Sequence, residues 1–312
     1  TGLTPGVSYQ YRVRAYNATG SSNSSSTIST ITICAAPVAL NASSFTPTSF
    51  TANWQATVGA VDYRLDVSSD PLFAAGTFVS GYEGRTVSGT SQNVPDLVPG
   101  TVYYYRVRAV NASGTSNNSN TVSSTNIPPP PLVSSATDIT AEGFSVNWAT
   151  TSGAEGYFLD VSTNNFVTFV SVFNNFNVTG NSYPVSGLAS GTTYQYRMRA
   201  SNSSGTSLNS NTVNVITLPA DPVATSANTF TTTGFTANWS AVVGASGYLL
   251  DVSSDDFSTF ATGFNALQVT GTSALVTGLS EGTSYQYRVR ASNESGNSGY
   301  SNTSTALTVS AP

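Results

Sequence analysis

The chain has 312 residues, a net charge of −5 and charged side chains at only 8% of its positions, where about a quarter is usual in globular proteins. All ten basic residues are arginine, because the sequence contains no lysine and no histidine. So little positive charge excludes a continuous nucleic-acid-binding surface and a polybasic membrane-docking segment. No apolar run approaches the length of a membrane span.

The residue types that usually carry catalysis and metal binding are scarce. Without histidine or lysine the chain lacks the usual general bases. The single cysteine, Cys34, can form neither an intrachain disulfide nor a cysteine-cluster metal site. Asp255 and Asp256 are the closest acidic pair, but two carboxylates on a turn supply too few ligands for calcium. We therefore predict a non-enzymatic chain with no catalytic residue, no cofactor and no metal site.

The sequence repeats itself along its whole length. The motif Leu-x-x-Gly-x-x-Tyr-x-Tyr-Arg-x-Arg-Ala begins at Leu3, Leu97, Leu188 and Leu279, with spacings of 94, 91 and 91 residues. A regular period of this kind indicates one folding unit used repeatedly, and about 90 residues suits one small domain. We predict an incomplete module at 1–35 and complete modules at 36–127, 128–218 and 219–312.

Within the first complete period, apolar and polar residues alternate in short runs, which is the pattern of half-buried strands. The clearest run is Val102 to Val110, in which Tyr103, Tyr105 and Val107 share one face. No segment has convincing helical periodicity. Short strands separated by turns indicate an all-β sandwich. The predicted strands lie at 49–54, 63–67, 93–97, 102–110 and 121–125, with an irregular aromatic-bearing stretch at 73–82.

The order of these landmarks resembles that of the fibronectin type III domain, an immunoglobulin-like sandwich of seven strands. The resemblance is carried by a Trp that ends the second strand and by the Tyr of the Leu-x-x-Gly segment. It implies that each such Tyr forms a tyrosine corner, in which the hydroxyl bonds to backbone just upstream. The matching residues are Trp54, Trp148, Trp239, Tyr9, Tyr103, Tyr194 and Tyr285.

The connections between the predicted modules are short and contain proline. The four prolines from Pro128 to Pro131 predict a stiff polyproline II connector, so we expect tandem seven-stranded sandwiches in an elongated rod. Residues 1–35 hold only the end of a module, and two strands cannot bury a core alone. Either the chain is a piece of a longer protein, which we favour, or these strands complete a sandwich in a neighbouring chain.

An acidic residue and two arginines recur at fixed places in every complete module. In the fold that the resemblance implies, Asp66 faces Arg106 and Arg108 on the exposed side of the sheet. One interpretation is a row of anion-binding arginines. The other, which the built-in carboxylate favours, is a surface ion pair worth about 0.2–1 kcal/mol. The same trio recurs as Asp160, Arg197, Arg199, Asp251, Arg288 and Arg290.

The loop after the sixth strand contains an Asn-x-Ser/Thr sequence in every copy, which is the acceptor pattern for N-glycosylation. The side chain of Asn also bonds to nearby backbone in turns, and we favour the turn role over glycosylation. The candidate residues are Asn17, Asn111, Asn202 and Asn293.

The second and third modules also carry aromatic residues where the repeats vary. We interpret them as cover for the open side of each sandwich, and the alternative is a sticky patch for sugars or for lateral packing. They are Phe166, Phe169, Phe173, Phe176, Phe257, Phe260 and Phe264.

The leading hypothesis is a stalk segment of a long extracellular repeat protein that spaces and presents distal domains, similar in composition to large secreted surface or adhesin proteins of bacteria. One alternative is a spacer array in a secreted polysaccharide-degrading enzyme, and another is a ligand-binding ectodomain. We expect neighbouring repeats of the same longer chain as partners, with like chains in a filament or surface glycans as further candidates. We expect neither nucleic acid nor membrane insertion, and an extracellular, cell-surface location.

Overall fold

The computed structural model describes residues 2–311, and every regular element in that range is a β-strand. The chain divides into two compact units. The first comprises residues 2–130, 151–156 and 199–208, and the second comprises 131–150, 157–198 and 209–311. Within these residues there is no helix that could cross a membrane.

The N-terminal segment of the first unit forms two strand pairs. Strands β1 (Ser8–Tyr11) and β4 (Ile28–Ile31) pair antiparallel, and between them β2 (Tyr16–Asn17) pairs with β3 (Gly20–Ser21). Its apolar residues have no opposing sheet in the described chain, so that Val13 is 63% exposed while its counterpart Val107 is fully buried.

The first complete module is a sandwich of two antiparallel sheets. One sheet has the order β5–β6–β9, and the other has the order β8–β7–β10–β11, with β12 also paired to β10. The strand bounds are β5 (Ala39–Thr46), β6 (Ser49–Trp54), β7 (Asp62–Ser68), β8 (Arg85–Val87), β9 (Ser91–Val94), β10 (Val102–Asn111), β11 (Gly114–Thr115) and β12 (Val122–Thr125).

The core of this module lies between the two sheets and follows the alternation of the sequence. Phe50 and Ala52 of β6 point inward from one sheet, and Leu65 of β7 with Tyr105 and Val107 of β10 do so from the other. All five are fully buried. Burying a large apolar side chain stabilises a fold by about 1.5–3 kcal/mol, so this alternation accounts for much of the stability of the module.

The second and third modules repeat this arrangement. Each has a five-stranded sheet, of order β15–β14–β17–β18 with β19 on β17, and β23–β22–β25–β26 with β27 on β25. The bounds in the second module are β13 (Gly143–Asn147), β14 (Gly156–Ser162), β15 (Phe176–Val178), β16 (Ser182–Ser186), β17 (Thr193–Asn202), β18 (Gly205–Thr206) and β19 (Val213–Ile216). Those in the third are β20 (Ala224–Thr231), β21 (Gly234–Trp239), β22 (Gly247–Ser253), β23 (Leu267–Val269), β24 (Ser273–Val276), β25 (Ser284–Asn293), β26 (Gly296–Asn297) and β27 (Ser304–Leu307).

The first strand of each module is irregular, which explains why alternation did not predict it. Two register shifts interrupt the pairing of β5 with β6, and Ser44, within the second shift, has a φ of 52°. Thr229 in β20 has the same φ, and Asp138 in the second module has a φ of 50°. In that second module only isolated bridges form, at Val133 and Thr137, so the strand is reduced to two points of pairing.

One loop accounts for the longer first period. The backbone N–H of Val67 donates to the carbonyl of Tyr82 (2.9 Å), as Val161 does to Phe173 and Val252 to Phe264, so these aromatic residues are equivalent. From the repeated Asp to this residue the chain takes 16 residues in the first module and 13 in the others. The three extra residues therefore lie between β7 and β8.

Candidate functional site

The acidic pair that sequence analysis considered for calcium belongs to a turn. The carboxylate of Asp255 accepts hydrogen bonds from the hydroxyl and the N–H of Thr259 (2.7 and 2.9 Å) and from the Ser253 hydroxyl (2.7 Å). These bonds, with that from the Thr259 hydroxyl the strongest, hold the pKa of Asp255 below its usual value. Among residues 2–311 no group of three or more acidic or cysteine side chains could hold a metal ion.

The repeated aspartate is buried, so the expectation of a surface ion pair was wrong on this point. Asp66 is only 2% exposed. Its carboxylate accepts from Arg106 Nε (3.0 Å), from an Arg108 terminal nitrogen (3.1 Å) and from the N–H of Gly84 (2.7 Å). Because these donors replace water around the carboxylate, the cluster serves to tie β7 to β10 and to the loop that leads to β8.

The other two modules build the same cluster. Asp160 pairs with Arg197 (3.2 Å) and accepts from the N–H of Asn175 (2.9 Å), while Asp251 pairs with Arg288 (3.1 Å) and accepts from the N–H of Ala266 (2.8 Å). The remaining arginines of the doublets are Arg199 and Arg290. Their counterpart Arg108 lies opposite Arg64 in the register, while Arg106 lies opposite Asp66.

An aromatic ring covers the first arginine of each doublet. The guanidinium of Arg106 lies 4.1 Å from the centroid of the Phe73 ring, that of Arg197 lies 4.0 Å from Phe166, and that of Arg288 lies 4.1 Å from Phe257. Cation–π contacts of this kind contribute about 0.5–2 kcal/mol. Phe166 and Phe257 therefore cover the ion-pair cluster.

The remaining variable aromatics divide between core and surface. Phe173 and Phe264 are buried, and Phe169 and Phe260 pack beside the covering rings at 6.4 and 6.5 Å. Phe176 packs on Phe173 at 5.3 Å and on Tyr183 at 5.2 Å.

The tyrosines and tryptophans that carry the family resemblance have the same surroundings in each copy. The hydroxyls of Tyr9, Tyr103, Tyr194 and Tyr285 each accept a hydrogen bond from the backbone N–H five residues upstream, at 2.9, 3.0, 2.9 and 3.1 Å. Trp54, Trp148 and Trp239 are buried, each against a tyrosine of the next strand, with centroids 5.4–5.6 Å apart.

The most consistent feature of the molecule is a set of contacts between consecutive modules, which we call a joint. In each joint a rear face of one module contacts a front face of the next. The rear face consists of a glycine, the residue directly after the last strand and the aliphatic residue that follows it. The front face consists of a glycine, an asparagine and a second glycine. The rear faces are Gly6, Thr32, Ile33; Gly100, Asn126, Ile127; and Gly191, Thr217, Leu218. The front faces are Gly59, Asn111, Gly114; Gly153, Asn202, Gly205; and Gly244, Asn293, Gly296.

Two glycines meet backbone to backbone in every joint. A Cβ on Gly153 would lie 2.6 Å from the Cα of Gly100, and a Cβ on Gly100 would lie 2.7 Å from the carbonyl carbon of Ser152. Gly59 is equally close to Gly6, and Gly244 to Gly191. Contacts this short leave no room for any side chain, so both positions require glycine for close approach as well as for their positive φ.

The asparagine of each front face bonds to the rear face. Asn111 Nδ2 donates to the carbonyl of Thr32 (2.9 Å), Asn202 Nδ2 to that of Asn126 (2.8 Å) and Asn293 Nδ2 to that of Thr217 (2.8 Å). These are three of the four candidate glycosylation residues, and a glycan would replace one of the two Nδ2 hydrogens and would have to fit beside the rear face. The fourth, Asn17, bonds through Oδ1 to Thr19.

An aliphatic contact completes each joint. A Cβ on Gly205 would lie 2.9 Å from Ile127, and one on Gly296 would lie 3.2 Å from Leu218, so these side chains pack directly on the glycine backbone. Ser204 also donates to the carbonyl of Thr125 (2.6 Å). The joint that contains Gly100 and Asn202 lies within the first compact unit, and the joint that contains Gly191 and Asn293 lies within the second.

Sequence reasoning missed a second asparagine in each module. Asn120 exchanges two hydrogen bonds with the backbone of Ala39, at 2.9 and 3.0 Å, and thereby joins the start of β5 to the segment before β12. Asn211 makes the same two bonds to Val133, and Asn302 makes them to Ala224. The signal was the Ser-Asn-Thr triplet, which recurs at the period of the repeat.

Two serines before each of these asparagines were missed as well. Ser116 accepts from the N–H of Ala109 (2.9 Å) and Ser119 from that of Val107 (3.0 Å). These side chains bond to β10 where regular strand pairing is interrupted, and this explains part of the serine content. The same pairs occur as Ser22, Ser25, Ser207, Ser210, Ser298 and Ser301.

Paired antiparallel sheets with a tyrosine corner define the class of the immunoglobulin-like β-sandwich. The family model of the fibronectin type III domain matches residues 35–125, 128–216 and 220–307. The chain belongs to this family and contains three tandem domains, as the sequence resemblance predicted.

Curated relatives come from both animals and bacteria. Fibronectin type III domain-containing protein 7 of Mus musculus is 31% identical over 208 residues, which cover 66% of this chain and 26% of the relative. Chitinase A1 of Niallia circulans is 31% identical over 191 residues (55% and 24%), and Exoglucanase B of Cellulomonas fimi is 30% identical over 235 residues (66% and 20%). The chain thus spans about a quarter or less of the length of each relative.

Proposed function

We propose that this chain is a spacer segment of a larger extracellular protein, in which tandem sandwiches hold other domains at a set separation. The observation that carries the proposal is the joint, because the same glycine, asparagine and aliphatic contacts recur at three successive places. A binding site would be expected to differ between modules, whereas a spacer needs the same connection each time.

The chemistry of the joint favours stiffness. Two backbones in direct contact restrict rotation of one module against the next. Each hydrogen bond from an asparagine amide to a backbone carbonyl stabilises the contact by about 1 kcal/mol. Proline at Pro37, Pro131 and Pro222 restricts the connecting segments further. The sparse charge leaves little electrostatic interaction for salt to screen, which suits a spacer exposed to variable surroundings.

A second candidate is favoured by the relatives. Two bacterial ones are named as a chitinase and an exoglucanase, which supports a spacer array within a secreted polysaccharide-degrading enzyme. The cell-surface stalk and the enzyme spacer require the same mechanical behaviour of this segment. They differ in what the parent polypeptide carries, and release of reducing sugar from chitin or cellulose by the intact parent protein would decide for the enzyme.

Small-angle X-ray scattering tests the spacer role directly. A compact globule of this length has a radius of gyration of about 20 Å, and we expect a value well above that for the wild-type chain. Replacing Asn111, Asn202 and Asn293 together with alanine should broaden the distance distribution. Asn17→Ala should not broaden it, because Asn17 does not belong to a joint. A wild-type value near that of a globule would refute the proposal.

A further inference from the structure

The third module has a rear face that corresponds position by position to the three that form joints, with a glycine, a polar residue and an aliphatic residue. Gly282 takes the place of Gly191, with φ values of 58° and 57°, and Thr308 takes the place of Thr217. Thr308 accepts from the N–H of Thr283 (2.9 Å) and donates to the carbonyl of Ser280 (2.7 Å). Thr217 makes the corresponding bonds, to Thr192 (3.0 Å) and Ala189 (2.8 Å).

The aliphatic member of this rear face is Val309, which is 47% exposed. Beside it, Ser310 lies 3.0 Å from where a Cβ of Gly282 would be, and the N–H of Ala311 donates to the Glu281 carboxylate (3.2 Å). This hydrogen bond joins two exposed residues, so little free energy opposes its displacement.

We propose that the rear face made by Gly282, Thr308 and Val309 is a docking surface for the front face of a further fibronectin type III module, one that carries the glycine, asparagine and glycine described above. The proposal rests on the spacer function and names the partner that the spacer accepts. Three established joints supply the argument, because each pairs this same rear chemistry with this same front chemistry.

Each residue of the front face is complementary to one residue of the rear face. The Thr308 carbonyl requires an N–H donor, which asparagine supplies and aspartate does not. The backbone of Gly282 admits only a second backbone without a Cβ. Val309 requires a small residue opposite it, since Ile127 and Leu218 already pack on bare glycine. A module without these three features would leave the carbonyl unpaired or would clash.

The distance along the chain is also fixed. In every joint, seven positions separate the residue that follows the last strand from the residue of the next module whose backbone bonds to the second asparagine. These pairs are Thr32 and Ala39, Asn126 and Val133, and Thr217 and Ala224. Joining a second copy of residues 222–312 directly after Pro312 reproduces this spacing, because Ala224 of the added copy then stands seven positions after Thr308.

Pulsed electron–electron distance measurements on this four-module chain test the proposal. Nitroxides replace Gln268 in the third module and in the added copy, on a Cys34→Ala background. We expect one narrow distance distribution. With Asn293→Asp and Gly244→Val in the added copy, the distribution should become at least twice as wide, while Gly263→Ala, at a glycine of positive φ in open space, should leave it narrow.

With Trp54, Trp148 and the Trp239 of the third module replaced by phenylalanine, fluorescence of Trp239 in the added copy confirms that each variant folds. A broad distribution for the wild-type copy would overturn the proposal, and so would a narrow one for the Asn293→Asp, Gly244→Val copy. Either result would leave the spacer function standing, because the scattering measurement on the original chain does not depend on the added module.

Discussion

The glycine contact of the joint allows a sharp test with a matched control. Gly153→Ala and Gly187→Ala both place a Cβ on a residue of positive φ (68° and 74°), in the same module. Alanine in this region costs about 1–2 kcal/mol at either site. The added Cβ of the first variant would lie 2.6 Å from the Gly100 Cα, whereas that of the second meets nothing within 4 Å.

The extra cost at Gly153 follows from the contacts that must separate. Moving the two backbones apart by about 1 Å, to ordinary van der Waals distance, breaks two hydrogen bonds that cross the joint, from Asn202 Nδ2 to the carbonyl of Asn126 (2.8 Å) and from the Ser204 hydroxyl to the carbonyl of Thr125 (2.6 Å). At about 1 kcal/mol for each bond, Gly153→Ala should destabilise the second module by about 2 kcal/mol more than Gly187→Ala.

Each complete module contains one tryptophan, so the loss can be assigned to a module. With Trp54→Phe and Trp239→Phe as background, urea unfolding monitored by Trp148 reports the second module alone. We expect the midpoint for Gly153→Ala to lie below that for Gly187→Ala by an amount equivalent to about 2 kcal/mol. Equal midpoints would show that the glycine contact contributes no coupling between modules, and the stiffness argument would then fail.

Three further predictions concern single modules. Asn126→Thr should stabilise the first module by about 1 kcal/mol in urea unfolding. Asn126 Oδ1 is buried without a hydrogen-bond partner, whereas the hydroxyls of Thr217 and Thr308, at the equivalent positions, each make two hydrogen bonds. A lower urea midpoint for the variant would contradict this prediction. Asp66→Asn should cost about 3 kcal/mol, since it leaves two guanidiniums without their carboxylate, and exposed Asp96→Asn should cost nothing measurable. Burial raises the pKa of Tyr196 in the folded state. The free energy of unfolding is therefore highest below the unfolded-state pKa of about 10, where the phenol is protonated in both states, and it falls as the pH rises above that value. Unfolding of the second module measured from pH 7 to pH 11.5 should show this decline, and Tyr196→Phe should reduce it.

The strands that sequence reasoning located are those in which one buried face dominates. β6 and β10 alternate cleanly, because one side of each packs on the core and the other faces water or the ion pair. The first strand and β8 escaped detection. Two register shifts and the positive φ at Ser44 interrupt alternation in β5, and β8 has only three residues.

The candidate site was only partly visible in the sequence. The Asp–Arg trio was found by its recurrence, but burial of Asp66 could not be predicted, because it depends on the Phe73 turn and the Gly84 loop that surround it. The joints were missed, although Gly59, Gly153 and Gly244 recur at the period of the repeat. Recurrence alone does not distinguish a turn glycine from one that touches the next module.

The sequence by itself determined the number of repeats, the β class and the family, because alternation and periodicity are local patterns that survive in a linear string. Only the tertiary structure decided that a turn glycine and a loop asparagine act together. Gly153 and Asn202 are 49 residues apart, yet the asparagine amide donates to the carbonyls of both Gly153 and Asn126. Folding brings such distant backbone groups together. Hydrogen bonds between them follow no fixed sequence separation, so the sequence alone does not reveal them.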